Sequence, residues 1–227
     1  MFLGQVINMK NSLISQYLQQ FERYYNLIVQ HNKKYNLTTI VDRQAVFKKH
    51  FLDSLLALDW IESNNHIVDI GCGAGMPSLP LCIVRGDLQA TLYDSVLKKV
   101  NFCNIVIREL GLQDRVRAIH SRIEDIPKDT KYDICVARAV AKLNTLLEYA
   151  IPFVKVGGYL LAYKSNDIEQ EIEQSQNAFL QLNAQVSSIE SVVLDNDIVR
   201  KIIRIQKMSS TPSQYPRGKN LARKSPL

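Results

Sequence analysis

The sequence predicts an α/β fold, with an open, mostly parallel sheet and helices on both faces. Three observations predict it. Strand-like apolar runs alternate with helix-like stretches across residues 66–137, the pattern of a parallel sheet with right-handed crossovers. The stretch Ile67-Val68-Asp69-Ile70-Gly71-Cys72-Gly73-Ala74-Gly75 ends a short apolar run in glycines at every second position. Length agrees: 227 residues, 46% of them hydrophobic, suit one α/β domain with decorated ends.

The elements follow in order. Leu13, Tyr17, Leu18, Phe21, Tyr24, Tyr25 and Ile28 recur at helical spacing, so 12–31 reads as one amphipathic helix packed on the main domain. Its aromatics are expected in the core rather than as a base-stacking platform. Residues 35–40 read as a loop. Asp42 is placed to cap a helix carrying Val46, Phe47, His50, Phe51, Ser54 and Leu55. His50 and Asp53 share a face of it. No Ser or Cys nucleophile accompanies them, so a structural or substrate-edge role is expected.

Strand 67–70 then meets the glycine turn, with Pro77 where a first helical turn would begin. A helix through Leu79, Leu81 and Val84 follows, then strand 90–93, a helix over about 96–110 stopped by Gly111, and strands 116–119 and 132–137. Gly157-Gly158 reads as a turn into a fifth strand, 159–163, that ends at Lys164. A polar helix over 166–182 precedes strands 186–194 and 198–205, joined as a hairpin by Asp195-Asn196-Asp197. That makes seven strands. Residues 1–60 read as an N-terminal helical extension, 61–207 as the core, and 208–227 as a basic tail, loop-like by composition, all in one globular unit.

Composition excludes several classes. No apolar run approaches the ~18 residues of a membrane span. The first residues lack a charged segment followed by an apolar one, so no signal peptide is read and a cytoplasmic location is expected. Cys72, Cys82, Cys103 and Cys135 form no CxxC pair and read as reduced core residues; with four scattered histidines, no metal site is expected. The net charge is +6. Residues 198–227 hold eight basic residues and no acidic one, which suits a phosphate-bearing partner.

The glycine turn narrows the ligand. A dinucleotide fingerprint needs a third glycine where this chain has Met76. The spacing Gly71, Gly73, Gly75 resembles instead the first motif of class I S-adenosylmethionine-dependent methyltransferases. Asp94, at the end of strand 90–93, is placed to accept ribose hydroxyls. Asp69 can face the cationic methionine end, or cap the turn. Ile123 and Glu124 follow the third strand, where a backbone N–H and a carboxylate can read an adenine edge; Glu124 also fits a helix start. Arg138 ends the fourth strand, beside the expected methyl position, or pairs with a surface carboxylate.

Across nearly its full length the chain resembles the bacterial glucose-inhibited division protein B (GidB) family. Asn36-Leu37-Thr38, His50-Phe51-Leu52-Asp53-Ser54-Leu55, Asp69 to Pro77, Asp94-Ser95 with Lys98-Lys99, Ser121 to Glu124, Ala137-Arg138-Ala139, Thr211-Pro212, Tyr215-Pro216-Arg217 and Lys224 to Leu227 carry the likeness. The resemblance implies methylation of N7 of a guanine, position 527, in 16S ribosomal RNA of the small ribosomal subunit. It implies S-adenosyl-L-methionine as cofactor, with Gly71, Met76, Ile123, Glu124 and Arg138 as its contacts beside Asp69, Gly73 and Asp94. Lys98, Lys99, Lys164, Arg217 and Lys224 are then expected on RNA phosphates, and the protein is expected to be a monomer. The chain departs from the family's usual residues at Cys72, Ser78, Ser165, Asn220 and Ala222. Guanine N7 carries a lone pair and no proton, so no general base is required. Two other readings fit the fold: a methyltransferase with another substrate, and a non-catalytic RNA-binding or ribosome-assembly factor.

Overall fold

The computed structural model describes residues 3–165, 168–195 and 198–227. Seven strands form one sheet: β1 His66–Ile70, β2 Gln89–Asp94, β3 Val116–His120, β4 Tyr132–Arg138, β5 Val154–Lys164, β6 Ala184–Asp195 and β7 Ile198–Lys207. Their order is β3-β2-β1-β4-β5-β7-β6, with β7 antiparallel to β5 and to β6 and the other pairings parallel. The strand order reverses between β1 and β4, so the crevice at their carboxyl ends is where an open α/β sheet binds ligands.

Alternation along each strand builds two cores. Ile67 of β1, Leu92 of β2 and Val136 of β4 face one apolar layer with Phe21, Tyr24, Phe51 and Phe102. Their chain neighbours Val68, Tyr93 and Cys135 face the other with Leu146, Phe153, Phe179 and Tyr215. Helices therefore cover both faces, as expected. Among the described residues no helix is long and apolar enough to cross a membrane, and no group of three or more His, Cys, Asp or Glu could hold a metal ion.

Several boundaries differ from expectation. The first helix is two, Leu3–Gln16 and Leu18–Tyr35, broken at Tyr17. Asp42 does cap Arg43–Val46, its side chain accepting the Ala45 N–H at 2.9 Å, but the run then winds through a π-helical turn, Phe47–Leu52, before Asp53–Leu55. Pro77 lies one residue before the helix Ser78–Val84. Gly157 and Gly158 lie inside β5 rather than before it. A Cβ on Gly158 would sit 2.4 Å from the Asp133 carbonyl oxygen, so this irregularity, where the register shifts between Tyr132 and Ile134, needs a bare backbone. The polar helix is split at Ser175 into Ile168–Gln174 and Gln176–Leu182. Its expected start at Asn166 and the hairpin turn at Asn196-Asp197 lie outside the described residues.

Two features escape sequence reasoning. A helix, Leu143–Ala150, follows β4 and is almost entirely buried. The tail packs against it instead of lying loose: Tyr215 and Ala222 are buried, Leu221–Lys224 is helical, and Arg217 pairs with the fully buried Glu148 at 2.6 Å.

Candidate active site

The turn after β1 is held from both sides. Gly71, Gly73 and Gly75 have φ of +69°, +58° and +89°, left-handed values that glycine adopts without a Cβ clash. The N–H groups of Gly71 and Cys72 donate to the Tyr93 carbonyl at 2.8 and 3.1 Å. Asp94 closes the turn against β2, its Oδ2 accepting the Gly73 N–H and its Oδ1 the Val96 N–H, each at 2.9 Å. From the helical extension, the buried Tyr24 hydroxyl donates to the Ala74 carbonyl, and its ring stacks on Phe51 at 5.2 Å between centroids. These aromatics are core, as expected, and they buttress the turn.

Over the turn lies an open cleft. It brings together four of the expected residues, Gly71, Asp94, Ile123 and Glu124. Glu124 makes no hydrogen bond or ion pair among the described residues, so its carboxylate is open to a ligand. Tyr149, from the unexpected helix, and Asn220 and Arg223, from the tail, complete the wall. The signals that could have found them are the helical spacing Leu143, Leu146, Leu147, Ala150 and the apolar anchors Tyr215 and Ala222 within a basic tail.

The other expected cofactor residues lie elsewhere. Gly73 is spent on Asp94. Met76 is 4% exposed, its sulfur 3.9 Å from Ser54 Oγ in the layer under the extension. Asp69 is fully buried and fits the capping alternative, its Oδ2 accepting the Ser78 N–H at 3.3 Å while Oδ1 has no partner.

Burial pushes the Asp69 carboxyl up to about 7. In the unfolded chain an aspartate releases its proton near pH 4. Between about pH 4 and 7 the unfolded state has therefore lost a proton that the folded state keeps, and Asp69's contribution to stability falls as pH rises through that window. Melted without cofactor, the wild type is expected to lose ground to Asp69→Asn from pH 4.5 to 7. A difference in melting temperature that does not change with pH would contradict this placement.

Arg138 opens onto a neighbouring cavity of about 560 Å³ at the carboxyl ends of β4 and β5, and Val140 lines both spaces. Ala139 between them takes a left-handed φ of +57°, a conformation that costs a non-glycine residue about 1–2 kcal/mol. The partner of Arg138 is Asp53, as the alternative reading had it, but that carboxylate is fully buried rather than at the surface. Asp53 Oδ2 accepts from Arg138 Nη1 at 2.8 Å, and Oδ1 accepts from Arg200 Nε at 2.6 Å. His50 lines the same cavity, its Nε2 2.9 Å from Thr38 Oγ1. Burial, then the Arg138 charge, holds His50 down at about 4, so the imidazole is neutral at pH 7. Arg200, unread in the sequence as a site residue, comes to Asp53 because β7 runs back beside β5.

The basic candidates divide. Lys98 and Lys224 are exposed, Lys99 is half-buried, and none has an ion-pair partner among the described residues. Lys164 instead pairs with Glu171 at 2.6 Å and donates to the Ala141 carbonyl at 2.9 Å. Arg217 is taken up by Glu148, which anchors the tail. Cys72 and Cys103, far apart in sequence, are buried free thiols 3.9 Å apart.

Comparison with known proteins gives the following. Residues 17–201 match the GidB family, described as rRNA small subunit methyltransferase G. A protein from Thermoanaerobacter sp. (strain X514) named "Ribosomal RNA small subunit methyltransferase G" is 44% identical over 218 residues, covering 93% of this chain and 90% of that protein. One of the same name from Streptococcus gordonii is 41% identical, covering 92% and 90%. Among solved structures, a putative rRNA-methylase from Clostridium thermocellum superposes with a TM-score of 0.53 at 16% identity, covering 69% of this chain and 94% of that one. A geranyl diphosphate methyltransferase solved in complex with SAM gives 0.55 at 14%, covering 70% and 85%. At such identities the structures show a shared fold, that of class I methyltransferases.

Proposed function

The chain belongs to the GidB family, the rRNA small subunit methyltransferases G, and is a methyltransferase of ribosomal RNA; we propose that it methylates N7 of guanine 527 in the 16S RNA of the small subunit, with S-adenosylmethionine as donor. The observation that carries the donor's place is the cleft over the glycine turn, with open Glu124 beside a bare Gly71 backbone.

The residues fit that donor. Asp94 and Glu124 offer carboxylate oxygens to hydroxyls or to an amino edge, and Ile123 and Tyr149 offer apolar surface to a flat ring. A Cβ on Gly71 would approach Val140 Cγ2 to 3.1 Å, so the backbone must stay bare on that wall. The bound donor supplies an electrophilic methyl on a sulfonium.

The chain's own part is placement. Guanine N7 needs no deprotonation, and the two candidate bases beside Arg138 are already engaged: His50 is neutral and bonded to Thr38, and Asp53 is occupied by two guanidiniums. Holding the reacting atoms in line and excluding water supplies the acceleration, an effect worth up to about 7–11 kcal/mol in well-oriented reactions. Arg138, fixed by Asp53, stands on the cavity wall two residues before Val140, which lines both spaces, and is the positioning group of this reading. No general base, and so no single indispensable acid or base, is expected.

RNA phosphates fall to the exposed Lys98 and Lys224 and the half-buried Lys99, more than to the internally paired Lys164 and Arg217. A Lys98→Gln, Lys224→Gln double variant is expected to bind small subunits more weakly, with a salt dependence flatter by about 0.7–0.9 for each phosphate contact removed. Its affinity for S-adenosylmethionine is expected to be unchanged; an unchanged salt slope would remove these lysines from the interface. A cytoplasmic location and a monomeric state belong to the same proposal.

The test of the function is methyl incorporation from labelled S-adenosylmethionine into small subunits from cells lacking this gene. Incorporation there, and none into large subunits, is expected. Donor binding by calorimetry without transfer to any RNA would favour the assembly-factor reading.

A further inference from the structure

The cavity that Arg138 enters is cationic, with Lys49, Arg138, Lys164 and Arg200 on its wall, yet it also holds a carboxylate, Glu171. A surface built for phosphates alone has no use for one. Glu171 stands on Ile168–Gln174, and one of its oxygens, Oε2, is taken twice: it accepts from Lys164 Nζ at 2.6 Å and from the Leu143 N–H at 2.8 Å. Oε1 has no hydrogen bond among the described residues. Lys164 Nζ spends its other bond on the Ala141 carbonyl at 2.9 Å, leaving one of three N–H groups open. An ammonium donor and a carboxylate acceptor thus sit side by side on the cavity wall, next to the proposed donor cleft.

Enzymes that modify a base take it out of its stack and read its Watson–Crick edge. Guanine shows there, in order, the O6 acceptor, the N1–H donor and the 2-amino donor. Adenine shows a donor and then the N1 acceptor, which a carboxylate opposes. Uracil lacks the second donor.

We propose that Glu171 is the guanine-specificity residue of this site: its free oxygen accepts from N1–H and the 2-amino group while Lys164 donates to O6, leaving N7 without a protein partner. This rests on the guanine-N7 reading above.

Inosine lacks only the 2-amino group and keeps N7, so it separates base reading from chemistry. The experiment uses small subunits reconstituted with guanosine or inosine at the target position. The wild type is expected to show kcat/KM about tenfold or more lower on inosine. Glu171→Gln keeps an oxygen for the Leu143 N–H but loses the carboxylate. It is expected to lose activity on guanosine and to bring the guanosine-to-inosine ratio near one, with S-adenosylmethionine affinity and melting temperature as in the wild type. Glu171→Asp, which restores the carboxylate on a shorter arm, is expected to recover part of the preference and serves if the amide unsettles the fold. A wild-type ratio in Glu171→Gln, or no preference in the wild type, overturns the role of Glu171 alone. No transfer by the wild type to guanosine overturns the N7 reading itself.

Discussion

Asp53→Asn is expected to be the most damaging single substitution in the cavity, in both stability and turnover. The carboxylate is fully buried and takes Arg138 on one oxygen and Arg200 on the other, at 2.8 and 2.6 Å. Both guanidiniums are themselves mostly buried, with side chains 14% and 20% exposed. Replacing the carboxylate by an amide leaves two desolvated cations facing each other. Breaking such a buried arrangement costs about 3 kcal/mol or more, which for a chain of this size is a melting temperature lower by roughly 10 °C. Arg138 loses its fixed position at the same time, so kcat is expected to fall by about a hundredfold, the range for a misplaced positioning group. Glu109→Gln, which breaks the surface pair with Arg23, is expected to move the melting temperature little and is the control. An Asp53→Asn protein that melts and turns over like the wild type would remove the Arg138–Asp53–Arg200 cluster from the account.

Gly75→Ala is the second. Its φ of +89° disfavours any side chain, and a Cβ there would stand 2.3 Å from Leu79 Cδ1 and 2.8 Å from the Tyr24 hydroxyl oxygen. Leu79 and Tyr24 are both fully buried, so neither can swing into solvent. Backbone strain and overpacking together cost about 2–4 kcal/mol. The push also falls on the Tyr24 bond to Ala74, within the turn that shapes the cleft. Weaker S-adenosylmethionine binding by calorimetry is expected along with the lower melting temperature. Gly86→Ala, where a Cβ meets nothing within 4 Å, is expected to be neutral in both measurements.

What was readable in the sequence was what is written locally. The strands and the glycine turn follow from short runs of residue type, and Asp94, Ile123 and Glu124 follow from their places after strands. The side chains of Asp69 and Met76 could not be assigned a side from sequence, because both residues flank a turn with two faces, one on the cleft and one on the layer under the helical extension; both side chains are buried away from the cleft wall. Arg138 stands out in the sequence by its strand-end position, while its partners do not, because Asp53 and Arg200 meet it only through long-range packing. The helix Leu143–Ala150 is eight residues long, too short for its period to stand out between a strand end and a glycine pair. The tail reads as loose by composition, and three anchors hold it down: Tyr215, Ala222 and the Arg217–Glu148 pair. Glu171 reads as one more charge on a polar helix until Lys164 is seen beside it.

The central claim is that one guanine of the small-subunit RNA receives a methyl on N7. The most direct measurement is mass spectrometry of nuclease-digested 16S RNA after reaction of unmodified small subunits with the enzyme and labelled S-adenosylmethionine. The account predicts label in 7-methylguanosine, confined to the fragment that contains position 527. Label in another nucleoside, or spread over several fragments, would contradict it.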